Sequence, residues 1–200
     1  MAHLIGRLPQ RLYIILFCAA AVFAAPASAQ EFPQEKGAAR TVQMFRLFCL
    51  SQLPDFDGIT KAAGFGEFAQ IEGQELQSYQ PRVPADELRA WRFHDHGVPY
   101  VLTAAKSKPD DAMKQHAPKF ANSRSVACSL ILPESEPHAP LLAELVKTLG
   151  RTPDQSWTEG SMQARSWTDE RPKILSYIHY FTPTKPRQKG VLSATAFVLD

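Results

Sequence analysis

The two cysteines that follow the N-terminal region, Cys49 and Cys128, constrain the fold of this chain more than any other feature. Neither belongs to a Cys-x-x-Cys sequence, and neither has the spaced histidines of a zinc site, so both of those motifs are missing. In an oxidising compartment, an isolated pair of cysteines predicts one structural disulfide, with a reactive thiol pair as the alternative. The bond would restrict the unfolded chain, which stabilises the fold by about 4 to 5 kcal/mol in the loop-entropy description.

The first 29 residues indicate that the chain reaches such a compartment. Arg7 and Arg11 form a basic start, residues 12–25 are an uncharged apolar run, and residues 27–29 read Ala-Ser-Ala. This order is typical of a secretory signal peptide, so we expect residues 1–29 to be removed and the protein to be periplasmic or secreted. An uncleaved N-terminal anchor is the alternative, but the apolar run is shorter than the about 20 residues that cross a membrane.

Removal of this leader leaves a chain without net charge. The full sequence has 22 basic and 20 acidic residues, and the leader carries two arginines and no acids, so 22 − 2 = 20 basic residues remain against 20 acidic ones. A neutral chain gives no reason to expect a nucleic acid or an anionic membrane as partner. We therefore expect an unknown protein or small-molecule ligand, no nucleic acid, and no membrane span after cleavage of the leader.

Helical signals are few in the mature chain. The sequence predicts a flexible N-terminal arm at residues 30–40 and one domain over residues 41–200. Apolar residues recur at helical spacing over residues 41–50, and Asp55 or Asp57 can cap a second, short helix. Two further helices are predicted downstream, at residues 110–116 and 138–149.

The second half of the chain has the alternating, β-branched and aromatic pattern of strands. Six strands are predicted, at residues 88–93, 98–107, 123–132, 161–167, 173–181 and 191–199. The run 173–181 is apolar on both faces, which places it inside the sheet, and we expect 191–199 to pair beside it. Since helices and hairpins follow no βαβ rhythm, the predicted class is α+β, an antiparallel sheet built from hairpins with a few short helices and one disulfide. No prediction is made for residues 67–84.

In the sequence FHDHGV, His94 and His96 flank an aspartate, and this stretch has two interpretations. The four residues 94–97 can connect two strands, because Asp caps turns and Gly accepts a positive φ. A metal site would instead need both histidines on a continuing strand, where positions i and i+2 share a face. Two imidazoles are an incomplete zinc site, since three or four protein ligands are usual, so the turn is favoured and no metal ligand is predicted.

Motifs for catalysis and for cofactor binding are missing from the sequence. There is no G-x-S-x-G elbow, and the Gly-Phe-Gly at residues 64–66 is too short for a phosphate loop. The acid pairs at residues 110–111 and 169–170 stand where acids cap turns and helices. No catalytic residue and no cofactor is therefore predicted.

Two groups of residues are candidates for binding. The loop before the last strand, with Lys185, Arg187 and Lys189, could receive an acidic partner and is a possible partner-binding loop. The second group consists of aromatic strand residues, which could line a ligand groove, although core or cross-strand packing is commoner for such residues. These residues are Trp91, Trp157, Trp167, Tyr177 and Tyr180.

His179 lies within an apolar run and is interpreted as a hydrogen-bonded core residue.

A helix with one cysteine, the segment CLSQLPDFDGITKAAGFG at residues 49–66, and a strand cysteine together resemble small uncharacterised exported two-cysteine proteins of Gram-negative bacteria. The resemblance rests on Phe45, Cys49, Pro54, Gly64, Phe65 and Cys128. It implies a periplasmic domain with a disulfide and supplies no catalytic residues.

The predicted function is that of an exported binding or interaction module without catalytic activity. Two alternatives stay open. One is a periplasmic hydrolase or carbohydrate-binding enzyme whose site the sequence does not locate. The other is a metal-handling protein that uses His94 and His96.

Overall fold

Eight strands of this protein form one antiparallel sheet in a computed structural model, which describes residues 36–81, 83–185 and 188–199. The predicted signal peptide, residues 1–29, and the predicted arm up to residue 35 lie outside the described residues. The described residues belong to one compact unit, Gln34–Asp200. No helix within them is both long enough and apolar enough to cross a membrane.

The sheet consists of two four-stranded meanders that meet at its centre. The strands are β1 (Ala69–Ile71), β2 (Glu87–Asp95), β3 (Val98–Ser107), β4 (Arg124–Ile131), β5 (Gln155–Glu159), β6 (Met162–Arg171), β7 (Ile174–Pro183) and β8 (Val191–Val198). Their order across the sheet is β1-β2-β3-β4-β8-β7-β6-β5, and all neighbours are antiparallel. The meanders β1–β4 and β5–β8 join where β4 pairs with β8, and Cys128 stands opposite Ala194 at this junction.

The longer helices cover one face of the sheet. The helices are α1 (Ala38–Phe45), which continues into a π turn (Arg46–Leu50), α2 (Phe56–Phe65), α3 (Gly73–Gln77), α4 (Asp111–His116) and α5 (His138–Leu149). The pair α1 and α5 contact each other, α2 contacts β3, and the π turn contacts β4 and β8. The short helices α3 and α4 lie at the opposite face, beside residues that point away from this helical layer.

The core lies between the helical layer and the sheet. Successive strand residues point to opposite faces, so one alternate set on each strand meets the helices. The set includes Leu102, Ala104, Cys128, Leu130, Leu192 and Ala194, and it contacts Phe45, Ile59, Leu141 and Leu145 from the helices. The disulfide between Cys49 and Cys128, with 5.3 Å between the Cα atoms, joins the π turn to β4 within this core.

Local side-chain chemistry decides where several helices begin and end. Asp55 Oδ1 accepts the N–H of Asp57 at 3.0 Å, and Asp110 Oδ1 accepts the N–H of Met113 at 2.7 Å. These bonds satisfy amide groups that have no partner inside the first turn of α2 and of α4. Gly150 has φ 70°, a left-handed conformation that ends α5.

The predicted antiparallel sheet, its hairpins and the Cys49–Cys128 disulfide are confirmed. Strand outweighs helix in the described residues, where three helices have seven or more residues. Helix α1 begins at Ala38, inside the segment predicted as an arm. The pattern did not predict β5, because all five of its residues are exposed and show no apolar alternation.

The β2–β3 hairpin differs from the prediction at its turn. His94 and Asp95 continue β2, so the turn consists of His96 and Gly97 alone rather than of the four residues that were predicted. Their φ values are 49° and 80°, which matches a type I′ turn. A two-residue turn of this type fits the twist of the flanking strands, and this is why the strands run further than the sequence pattern suggests.

Candidate functional site

The face of the sheet that points away from the helical layer, which we call the open face, has short side chains at its centre. The register places Ala105 opposite Ala127, and Ala127 opposite Thr195, across three neighbouring strands. A parallel row of hydroxyl groups lies beside these residues, and its members are Thr103, Ser129 and Ser193. Short side chains on adjacent strands leave space above the sheet, because nothing projects far from this floor.

Aromatic rings form a wall beside this floor. Tyr177, His179 and Phe181 alternate along β7 and therefore share the open face. The rings of Tyr177 and His179 are stacked, with centroids 5.9 Å apart and planes 10° apart, and His179 lies 5.6 Å from Phe181. Trp157 of β5 meets the ring of His179 edge-on at 6.1 Å, across β6, where Trp157 stands opposite Ala164 and His179 opposite Ser166.

A cavity of about 580 Å³, which we call the α4 cavity, lies between α4 and strands β5 to β8 on the open face. The rings of Tyr177, His179 and Phe197 line it, together with the thioether of Met113 from α4. Its polar lining consists of one imidazole, one amide, two hydroxyls and one carboxylate. These groups belong to His116, Gln155, Thr168, Thr195 and Asp110 respectively. The α4 cavity therefore combines ring surfaces with several hydrogen-bonding groups.

A second cavity of about 430 Å³, the central cavity, lies over the floor and extends from β2 to β6 in the order of the sheet. Residues 78–81, the segment that follows α3, also line it. Long apolar side chains form most of its wall, and these are Leu88, Ile131, Met162, Phe181 and Val191. The central cavity is thus more apolar than the α4 cavity.

His179 and Tyr177 are neutral groups at ordinary pH. Burial lowers the pKa of His179 and raises the pKa of Tyr177, to which the negative charge of Glu170 also contributes. Nδ1 of His179 is buried and has no hydrogen-bond partner among the described residues. The structure therefore places His179 on the open face rather than as the hydrogen-bonded core residue that the sequence suggested. Because no bond at Nδ1 fixes the tautomer, Nε2 is free to act as donor or acceptor.

The serines beside His179 do not form a catalytic pair with it. Ser166 and Ser193 stand opposite His179 on the two neighbouring strands, yet neither hydroxyl bonds to Nδ1. Ser193 instead accepts a hydrogen bond from the hydroxyl of Ser129 at 2.9 Å. The hydrogen bond of Ser193 is thus with Ser129 on the neighbouring strand rather than with Nδ1 of His179.

A second polar cluster is buried in the core, beneath the helical layer. The hydroxyls of Thr41 and Tyr100 are 3.1 Å apart, and they donate to the carboxylate of Glu136 at 3.3 Å and 3.4 Å respectively. Burial raises the pKa of Glu136, although these two hydrogen bonds act in the opposite direction. We interpret this cluster as structural, because it joins α1, β3 and the segment before α5.

The aromatic side chains singled out by the sequence divide between the two faces. Trp91, Trp167 and Tyr180 are buried in the core, whereas Trp157 and Tyr177 stand on the open face. Only the second group can meet a ligand without disturbing the core.

The remaining candidates are not brought together. Lys185 and Lys189 are exposed, and Arg187 lies outside the described residues. Asp95, between His94 and His96, forms an ion pair with Arg40 at 2.9 Å. The described part of the chain holds no group of three or more His, Cys, Asp or Glu side chains that could bind a metal.

Sequence reasoning missed most of the residues that line the α4 cavity. Gln155 comes from β5, which was not predicted, and Thr168, Thr195 and Phe197 are ordinary strand residues in the sequence. The sequence signal that could have found part of this cavity is the alternation along β7, which puts Tyr177 and His179 on one face of the strand and Tyr180 on the other. Which of these two sets faces the helices is not encoded in the alternation itself.

Comparison of the chain with protein-family models, with curated proteins and with solved structures finds no match. The resemblance to exported two-cysteine proteins therefore stays a prediction, and the site has to be interpreted from its own chemistry.

Proposed function

We propose that this protein is an exported, non-catalytic binding module that holds a small molecule on the open face of its sheet. The observation that carries the proposal is the pair of cavities, about 580 Å³ and about 430 Å³, on the face opposite the core. Ligand sites are commonly clefts of roughly 300 to 1,000 Å³ lined by apolar and aromatic groups with a few polar ones. Both cavities fit that description in size and in lining.

The arrangement of the molecule supports a binding role. The core, the disulfide and the longer helices stabilise one face, so the opposite face can carry short side chains without loss of the core. The rings on β7 are held in place by their neighbours, which prepares a rigid surface before any ligand arrives. A hydrolase remains the alternative function, and turnover of any substrate would replace the binding proposal.

Export to the periplasm or the medium is the second part of the proposal. It rests on the leader sequence, and the disulfide is compatible with it, because disulfides persist in oxidising compartments. We also keep α+β as the proposed class, supported by the segregation of the longer helices on one face of an antiparallel sheet.

The proposal can be tested with Nile red, an uncharged dye that fluoresces in apolar cavities. The variant Thr195→Phe places a ring on the floor of the α4 cavity, opposite Tyr177. The matched control is Thr158→Phe, an exposed strand residue whose side chain points to the other side of the sheet. We expect saturable fluorescence with the wild type and with Thr158→Phe, and its loss with Thr195→Phe.

Circular dichroism would show that both variants fold, and a broad hydrolase screen would accompany the titration. Equal dye binding by the two variants, or no dye binding by the wild type, would contradict the proposed site. Robust turnover in the screen would contradict the non-catalytic role.

A further inference from the structure

The two cavities of the open face differ in chemistry along one direction. In the central cavity the long side chains of the wall are apolar, with Leu88 from β2, Ile131 from β4 and Val191 from β8. At the end near α4 the wall carries amide, hydroxyl and imidazole groups, among them Gln155 and Thr168. A ligand that crosses the open face would therefore meet an apolar environment at one end and a hydrogen-bonding environment at the other.

The two cavities are lined by successive residues on the same face of β7 and of β8, which brings both within reach of one extended molecule. Thr195 lines the α4 cavity and Ser193 lines the central cavity, two residues apart on β8 and on the same face. His179 and Phe181 are related in the same way on β7. Residues two apart on a strand are separated by about 7 Å, which is less than the length of an extended ligand of moderate size.

The charge of the lining argues against an anionic ligand. No lysine or arginine is among the described residues that line either cavity. Asp110 is the single carboxylate of the α4 cavity, and its Oδ1 already accepts the amide of Met113. A buried anion without a cationic partner is costly, so a carboxylate or phosphate head group would find no compensating charge here.

The rings and hydroxyls of the α4 cavity indicate which kind of polar ligand group would fit there. A sugar ring has an apolar C–H face and a rim of hydroxyls, so it can lie against aromatic rings while its edge forms hydrogen bonds. Tyr177 and His179 offer the stacked ring surface, and Thr168, Thr195 and Gln155 offer neutral hydrogen-bonding groups. Neutral donors and acceptors match hydroxyls, which both donate and accept.

We infer that the ligand is an uncharged amphipathic molecule, with a sugar-like polyol head in the α4 cavity and an alkyl chain in the central cavity. This inference rests on the proposed function, since it names the class of ligand for the same open face. The alkyl chain would lie over Ala105, Ala127 and Ser129, where the floor is flat and the wall is apolar.

Calorimetric titration with octyl probes tests the ligand class on the mature protein. The probes are n-octyl β-D-glucoside, n-octyl phosphate, octyltrimethylammonium, 1-octanol and glucose, with the three surfactants below their micelle concentrations and 1-octanol below its solubility limit. We expect the octyl glucoside to bind about tenfold or more tightly than either charged octyl probe and than glucose alone. The sugar head group then accounts for the preference for octyl glucoside over the charged probes, and the octyl chain accounts for the preference for octyl glucoside over glucose.

Variants assign each end of the ligand. Ala127→Phe fills the central cavity and should weaken octyl glucoside binding by about tenfold or more, whereas Ala143→Phe on the exposed surface of α5 should leave it unchanged. His179→Leu removes the imidazole from the α4 cavity and should weaken octyl glucoside by about threefold to tenfold without weakening octanol.

Each contrary outcome would contradict a different part of the proposed ligand or site. Tighter binding of n-octyl phosphate or of octyltrimethylammonium would overturn the uncharged head, and equal binding of glucose would overturn the chain. In those cases a Nile red signal that Thr195→Phe abolishes would leave the proposed function standing. Failure of all octyl probes together with Nile red would overturn both.

Discussion

At the scale of single residues, Glu136 is the group whose ionisation matters most to the fold. Its carboxylate is buried with Thr41 and Tyr100, and no lysine or arginine of the described residues forms an ion pair with it. Burial therefore raises its pKa above the ordinary value of 4.5, and the charged form is stabilised by hydrogen bonds from two hydroxyls. Folding therefore favours the protonated form of this carboxyl group more than the unfolded chain does.

The variant Glu136→Gln cannot titrate at this position, so its free energy of unfolding should depend on pH differently from that of the wild type. Because the folded pKa is raised, the stability that Glu136 contributes is fully present below pH 4.5 and is lost as the pH rises through the folded pKa. As the pH rises from 4.5 through the folded pKa, the free energy of unfolding of the wild type should therefore fall relative to that of Glu136→Gln. The fall should be about 1.4 kcal/mol for each pH unit by which the folded pKa of Glu136 exceeds its unfolded pKa.

Urea denaturation at a series of pH values measures this difference. Glu134→Gln is the matched control, since Glu134 is an exposed acid two residues away. Parallel curves for the wild type and Glu136→Gln would show that burial of Glu136 does not perturb its titration.

At the scale of elements, the β2–β3 hairpin carries a backbone constraint that its sequence does not fully meet. His96 has φ 49°, which a non-glycine residue adopts at a cost, and Gly97 has φ 80°. Asn-Gly is the preferred pair in a type I′ turn, because asparagine tolerates the left-handed conformation better than most residues. The sequence His-Gly is therefore a weaker version of a favoured turn.

Replacing His96 by asparagine should stabilise the protein by about 0.5 to 1 kcal/mol, because the turn loses part of its strain. His94→Asn is the control, since His94 lies in extended strand β2 and gains nothing from the change. Chemical denaturation of both variants would show the contrast. A His96→Asn variant no more stable than the wild type would mean that the turn is unstrained.

The same two variants combined test the metal hypothesis for FHDHGV. We expect the metal content of purified protein to be the same in the wild type and in His94→Asn, His96→Asn, because two imidazoles alone are an incomplete site. Elemental analysis by mass spectrometry measures it. One equivalent of zinc or copper that disappears in the double variant would establish a metal site there.

At the scale of the whole molecule, the disulfide joins three parts of the fold. Cys49 lies in the π turn that continues α1, and Cys128 lies on β4 where the two meanders meet. The closed loop spans a sequence separation of 79 residues, so the bond restricts much of the unfolded chain. It therefore holds the helical layer against the centre of the sheet and leaves the open face untouched.

The double variant Cys49→Ala, Cys128→Ala should lower the free energy of unfolding by about 2 to 5 kcal/mol while retaining Nile red binding in the fraction that folds. Thermal denaturation with and without a reducing agent measures the loss, and the reductant should affect the wild type but not the variant. An unchanged melting temperature, or wild-type protein whose thiols react with iodoacetamide without reduction, would contradict a structural disulfide.

Several local elements of this protein and its covalent link follow from the amino-acid sequence alone. Gly97, Gly150, Asp55 and Asp110 act within a few residues of their own position, so turns and helix ends could be predicted from them. The Cys49–Cys128 disulfide could be predicted as well, because the third cysteine, Cys18, lies within the predicted leader and the other two then have only each other to pair with.

Only the tertiary structure decided the order of the strands and the side of the sheet that stays open. Tyr177, His179 and Tyr180 belong to one apolar run, and alternation assigns them to two faces without saying which face the helices cover. That choice depends on packing between residues far apart in the sequence, such as Leu141 and Leu145 of α5 and Leu192 of β8, which belong to one core cluster. Because these contacts bury one face of the sheet, the opposite face keeps its cavities, and no local pattern contains that information.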